Sequence, residues 1–191
     1  MKKFIIASLV GALIIFIYSS LSWMMSPVHM HTFRYAPKQD SIMNALNKLM
    51  PGPGAYMMPL ADNRKVGMFD SKYREEEETN MKAMVGKPSA VIFYTVGKAM
   101  NPMQVIKGFL LNLFTVIFAV ILFAMAKDKL NTFFMRWWMF IVIGFIVAFN
   151  SHLLEWNWMG YPWHYIKGFV IDTIMEWGLC GAWLAWYLGR N

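Results

Sequence analysis

From Ile106 to Ala126 the chain reads IKGFLLNLFTVIFAVILFAMA. After Lys107 the run carries no charge, and its length suits the ~20 residues that a helix needs to cross a ~30 Å hydrocarbon core. It reads as a membrane span, Met103–Ala126. Three other runs, at Phe4–Met25, Phe133–Leu153 and Pro162–Leu188, have the same character. The expected fold is membrane all-α with four transmembrane helices, at 1–25, 102–126, 133–153 and 162–188. Residues 26–101 form a small α+β loop module between spans one and two.

Composition agrees. The 191 residues are 58% hydrophobic and 15% charged, against about 25% charged in a soluble domain. The net charge of +7 comes from Lys and Arg scattered at span ends and through one loop. With no dense basic block, the charge points to membrane interfaces and away from nucleic acid. Cys180 is the single cysteine, so no intramolecular disulfide forms. The first apolar run exceeds the ~7–15 residues of a signal-peptide core, and Ser20-Leu21-Ser22 is its best cleavage site. It is expected to stay as a helix.

Orientation follows the charges of the short loops. Lys2, Lys3, Lys127, Lys129, Arg136 and Arg190 flank one set of span ends, whereas Leu154 to Tyr161 has no Lys or Arg. A bacterial inner-membrane protein with both termini cytoplasmic is expected, with residues 26–101 extracytoplasmic. Trp156, Trp158, Tyr161, Trp163 and Tyr165 would then mark the outer interface, and Trp137, Trp138, Trp186 and Tyr187 the inner one.

The run also has a near copy. IKGFLLN at Ile106–Asn112 recurs as IKGFVID at Ile166–Asp172, each preceded by a proline, Pro102 or Pro162. Gly11, Phe16, Leu21 and Trp23 share the spacing of Gly144, Phe149, Leu154 and Trp156. Two parallel duplicated hairpins are expected. Lys107 and Lys167 would snorkel to headgroups as interface anchors, and Gly108 and Gly168 would admit a neighbouring helix closely. Asn112 and Asp172 lie one turn deeper, where a polar group needs a partner.

Within the loop module, Ser41 to Met50 reads as an amphipathic helix capped by Asp40 or Ser41. Pro51-Gly-Pro-Gly breaks it, Ala55–Leu60 and Ala90–Val96 read as strands, and Tyr73–Val85 as a helix that stops at Gly86. Glu75–Glu78 read as a solvated helix face.

Two groups carry candidate chemistry. His29, His31, His152 and His164, with Glu155 nearby, all fall at the outer face, where imidazole with thioether or carboxylate suits copper or zinc, or a haem. The bland alternative is hydrogen bonding to headgroups and carbonyls, with no cofactor. Asp172 and Glu176, four residues apart on one face of span four, join Asn112 and Asn150 as a candidate intramembrane polar cluster. It reads either as a proton or cation pathway or as a polar joint between helices. Gly178, Gly181, Ala182 and Ala185 form a small-residue face for internal packing or a partner subunit. No nucleophile–base set or phosphate loop is present.

Trp23 through Pro27 with His29, Pro51-Gly-Pro-Gly-Ala-Tyr56, and Asn157-Trp-Met-Gly-Tyr-Pro162 give the chain a resemblance. It resembles a group of small hypothetical four-span inner-membrane proteins of bacteria, which implies the architecture and no activity. The function expected from the residues is a non-enzymatic accessory or scaffolding subunit of a larger membrane assembly. Its partners would be membrane lipids and other membrane subunits or further copies of itself. The alternatives are a small transporter or proton/cation conductor using the acids of span four, and a metal- or haem-binding protein.

Overall fold

The computed structural model describes residues 2–60, 69–97 and 101–190. The parts of the expected loop module at 61–68 and 98–100 lie outside the described residues. Two compact units emerge, one of residues 1–35 with 100–191 and one of residues 36–99.

The first unit is helical. Helix α1 (Lys2–Met25) is apolar around its circumference, and its buried residues Ala7, Ser8, Gly11, Ala12, Ile15 and Ser22 are mostly small. Helix α4 (Pro102–Ala126) begins in a capping box: Asn101 Oδ1 accepts from Gln104 N at 3.1 Å, and Asn101 N donates to Gln104 Oε1 at 3.0 Å. Pro102 sits in the first turn, where its missing N–H costs nothing. Helix α5 (Phe133–Val147) is capped by Thr132, passes through a π-helical segment at Ala148–Leu153, and continues as α6 (Leu154–Met159). Helix α7 (Trp163–Leu188) follows, with Pro162 as its extended N-cap residue.

Among the described residues, three stretches are long and apolar enough to cross a membrane: Lys2–Met25, Pro102–Lys129 and Phe133–Met159. The third runs past the expected end at Leu153. The π-helical segment keeps the backbone helical through Asn150 and His152, and Gly160, at φ 65°, supplies the left-handed turn that stops it. Trp156 and Trp158 are therefore helical.

Helix α7 is more polar, with Lys167, Asp172 and Glu176, and it is the helix most enclosed by its neighbours. It packs against α1 on one side and α5 on the other, while α4 packs on α1. One core runs through this layer, formed by Ala12, Ile15, Val116, Phe123, Phe140, Cys180 and Leu184 among others. Indoles tie helices together: Trp137 Nε1 donates to Gly178 O at 2.9 Å and Trp183 Nε1 to Ala7 O at 3.3 Å. Helices α5 and α7 approach closely at Gly181 and Gly144, where an added Cβ would lie 2.6 Å from Phe140 Cβ and 2.7 Å from Trp177 Cβ. Gly181 and Ala185 are thus spent on internal packing, and Gly178 faces Ile141.

The second unit contains α2 (Gln39–Leu49), β1 (Gly54–Met58), α3 (Ser71–Met84) and β2 (Ala90–Tyr94). The strands pair antiparallel in the register Gly54↔Tyr94 to Met58↔Ala90. Helix α2 starts before the expected caps, with Lys38 in the N-cap position and no side chain closing it. Asp70 caps α3 by accepting from Lys72 N at 2.8 Å.

Candidate functional site

The chain leaves α1 through Ser26-Pro27. Ser26 Oγ accepts from Val28 N at 3.2 Å, and Pro27 fixes the first residue of a 3₁₀ turn, Pro27–His29. This sharp turn sends His29 back onto α7. There it is 9% exposed, with its ring stacked on Trp23 at 4.0 Å between centroids and flanked edge-on by Phe169. A Cβ on Gly168 would lie 2.8 Å from His29 Cε1, so the glycine makes room for the imidazole.

His29 Nε2 lies 2.8 Å from Asp172 Oδ2. A carboxylate acceptor there requires the proton on Nε2, and Nδ1 faces Thr32 Oγ1 at 3.3 Å. The other carboxylate oxygen accepts from Ser22 Oγ at 2.7 Å and Tyr18 Oη at 3.3 Å. Asp172 is 6% exposed, and three donors from α1 and its following turn converge on it. One turn deeper, about 6 Å along the axis, Glu176 Oε1 lies 2.5 Å from Ser19 Oγ. Ser19 Oγ also lies 2.8 Å from Ile15 O. Ser19 Oγ is the donor facing both acceptors, and its single proton is shared between Glu176 Oε1 and Ile15 O.

The α1 side of this network is Ile15, Tyr18, Ser19 and Ser22, one helical face at i, i+3, i+4 and i+7. Its α7 side is Gly168, Asp172 and Glu176. Below Glu176 the packing is mainly apolar, with Ile15, Val116, Cys180, Leu184 and Phe140 buried between the helices and Ser8 of α1 buried as well.

The other expected residues are placed separately. Asn112 is half-buried on α4, Asn150 is exposed, and neither is hydrogen-bonded to Asp172 or Glu176. The four-residue polar cluster read from the sequence is replaced by an α1–α7 network. The two sequence copies differ accordingly, for a Cβ on Gly108 would meet only Phe16 at 4.0 Å. Lys107 is exposed and Lys167 half-buried. His152, turned by the π-helical segment, reaches Thr173 Oγ1 at 3.0 Å. His31 and Glu155 are exposed, and His164 is half-buried. Among the described residues no three His, Cys, Asp or Glu side chains group as metal ligands. The physical reason is that His29 and His152 are turned to separate hydrogen-bond partners on α7. The set His29, His31, His152, Glu155 and His164 is therefore not gathered as a copper or zinc ligand group.

Tyr18, Ser19 and Ser22 were not singled out from the sequence. The available signal was three hydroxyls on one face of an otherwise apolar span, opposite two acids spaced by one turn. Comparison with protein-family models, with curated proteins and with solved structures finds no match.

Proposed function

We propose that the chain is a four-span, non-enzymatic protein of a bacterial inner membrane, acting as an accessory or scaffolding subunit of a larger assembly. Helix α7 is the fourth crossing in this reading, because its acids face α1 and are hydrogen-bonded there, sparing them contact with lipid. Lys2, Lys3, Lys127, Lys129, Arg136 and Arg190 favour a cytoplasmic location for both termini, with residues 26–101 outside.

The subunit reading is carried by the unit of residues 36–99. Tyr73 and Tyr94 are its only buried residues among those described, whereas Ile42, Met43, Leu49, Phe69, Val85 and Phe93 are exposed. A module of this size normally buries about 60% of its unfolded surface. Apolar side chains left open in this number mark a surface for another protein. Mild-detergent extraction of a tagged chain, followed by mass spectrometry, tests it. A stoichiometric partner is expected, and Ile42→Asp with Leu49→Asp should release it while the bundle stays folded. A chain that purifies alone as a monomer, or a partner kept by the double variant, would refute the reading.

A conducting role finds less support. The hydrogen-bonded acids run from Asp172 beside His29 to Glu176, and the side chains packed beyond Glu176 among the described residues are mainly apolar, with Ser8 of α1 also buried. In proteoliposomes, Asp172→Asn with Glu176→Gln should leave proton flux at the background of empty vesicles, as should the unaltered protein.

A further inference from the structure

We infer that the bundle end opposite His29 binds an anionic phospholipid, with its phosphate among Lys3, Lys127, Arg136 and Arg190 and an acyl chain in the adjoining groove between α1 and α4. The inference uses the membrane setting and is independent of the subunit reading.

Four separate parts of the chain bring these basic groups together. Lys3 opens α1, Lys127 follows α4, Arg136 lies in the first turn of α5, and Arg190 follows α7. They line a cavity of about 330 Å³ in which Asp128 is the single acid. Among the described residues, none of the four is in a salt bridge. Arg136 is held in place by donating from Nε to Leu130 O at 2.8 Å and from Nη2 to Asn131 O at 3.2 Å. Arg190 sits 4.6 Å over the Trp186 ring, and Lys3 Nζ donates to Arg190 O. Positive charge held in a fixed concave site at a membrane surface is suited to a lipid phosphate.

Phe4 lines this cavity and also the next, an apolar groove of about 400 Å³. Leu9 of α1 and Leu113, Ile117, Val120 and Ile121 of α4 form its walls. The α4 positions follow one face at i, i+4, i+7 and i+8, and Ala124 continues that face toward Lys127. From Leu113 to Ala124 the groove extends about 16 Å, close to the ~15 Å depth of one hydrocarbon leaflet. A free anion would explain the basic cavity alone, and a partner helix the groove alone. A phospholipid fits both through their shared wall at Phe4.

Native mass spectrometry of the delipidated full chain in detergent tests this with dioleoyl phosphatidylglycerol, dioleoyl phosphatidylcholine and inorganic phosphate as probes. One phosphatidylglycerol should bind about tenfold or more tightly than phosphatidylcholine. Lys3→Gln with Lys127→Gln should remove most of that preference, since each basic group near a surface phosphate supplies a several-fold gain. Ile117→Trp, which fills the groove, should weaken phosphatidylglycerol and leave phosphate unaffected. Equal binding of the two lipids by the unaltered protein would overturn the inference without recourse to any variant. So would phosphatidylglycerol binding that Ile117→Trp leaves unchanged, which would mark a headgroup anion site with no groove.

Discussion

At Asp172 three donors from α1 and its following turn meet one carboxylate, and the cost of its removal follows from their burial. Asp172→Ala would strand Tyr18, Ser22 and His29 together, and a stranded buried polar group costs about 1–3 kcal/mol. A loss of about 3 kcal/mol or more is expected in unfolding measured in detergent. Asp172→Asn, which keeps an acceptor oxygen, should cost less, and Asn112→Ala should stay within about 0.5 kcal/mol. Gly168→Ala sets a methyl group against the His29 ring and should cost about 1–3 kcal/mol, whereas Gly108→Ala would meet only Phe16, at the ordinary contact distance of 4.0 Å. Equal effects at the two glycines would mean that His29 does not occupy its place on α7. The α7 half of this site was legible because two acids one turn apart in an apolar run need partners. Its α1 half was hidden, because Tyr18, Ser19 and Ser22 are ordinary in a span until the neighbouring helix is known. The repeat drew attention to Asn112 as the counterpart of Asp172, yet sequence likeness does not carry helix adjacency.

At the scale of elements, helix ends were read well where a local rule governs them. Pro102 opens α4, Gly86 adopts positive φ just past the end of α3, and the paired strands lie within one or two residues of the expected runs, whereas the stop at Gly160 was missed in favour of Leu153. The π-helical segment at Ala148–Leu153 escaped, since one extra residue in a turn leaves no mark in hydropathy. It changes the facing of the residues within it, where His152 meets Thr173 and Asn150 is exposed. The small-residue face of α7 was visible in sequence as glycines and alanines, but its use was left open between internal packing and a partner. Packing on Phe140 sets a contrast between neighbouring glycines. Gly181→Ala should cost about 1–3 kcal/mol by forcing α5 from α7. Gly178→Ala, whose Cβ would lie 3.7 Å from Ile141 Cδ1, should be neutral or gain up to about 1 kcal/mol from helix propensity. Thermal unfolding of the two variants side by side checks the difference.

For the whole molecule, the proposal at stake is that α7 is a fourth crossing, with α1 supplying partners for its acids and α5 covering its small-residue side. Hydropathy separates three of the long helices from the fourth, and only the tertiary arrangement shows where the fourth hides its charge. Labelling of single cysteines with a membrane-impermeant maleimide, in a Cys180→Ala background, is the most direct test. Four crossings place Asp128→Cys and Arg190→Cys on the same side, reactive in inside-out vesicles and protected in spheroplasts, with Asn44→Cys showing the reverse. Labelling of Arg190→Cys together with Asn44→Cys, and opposite to Asp128→Cys, would leave α7 outside the membrane and contradict the claim.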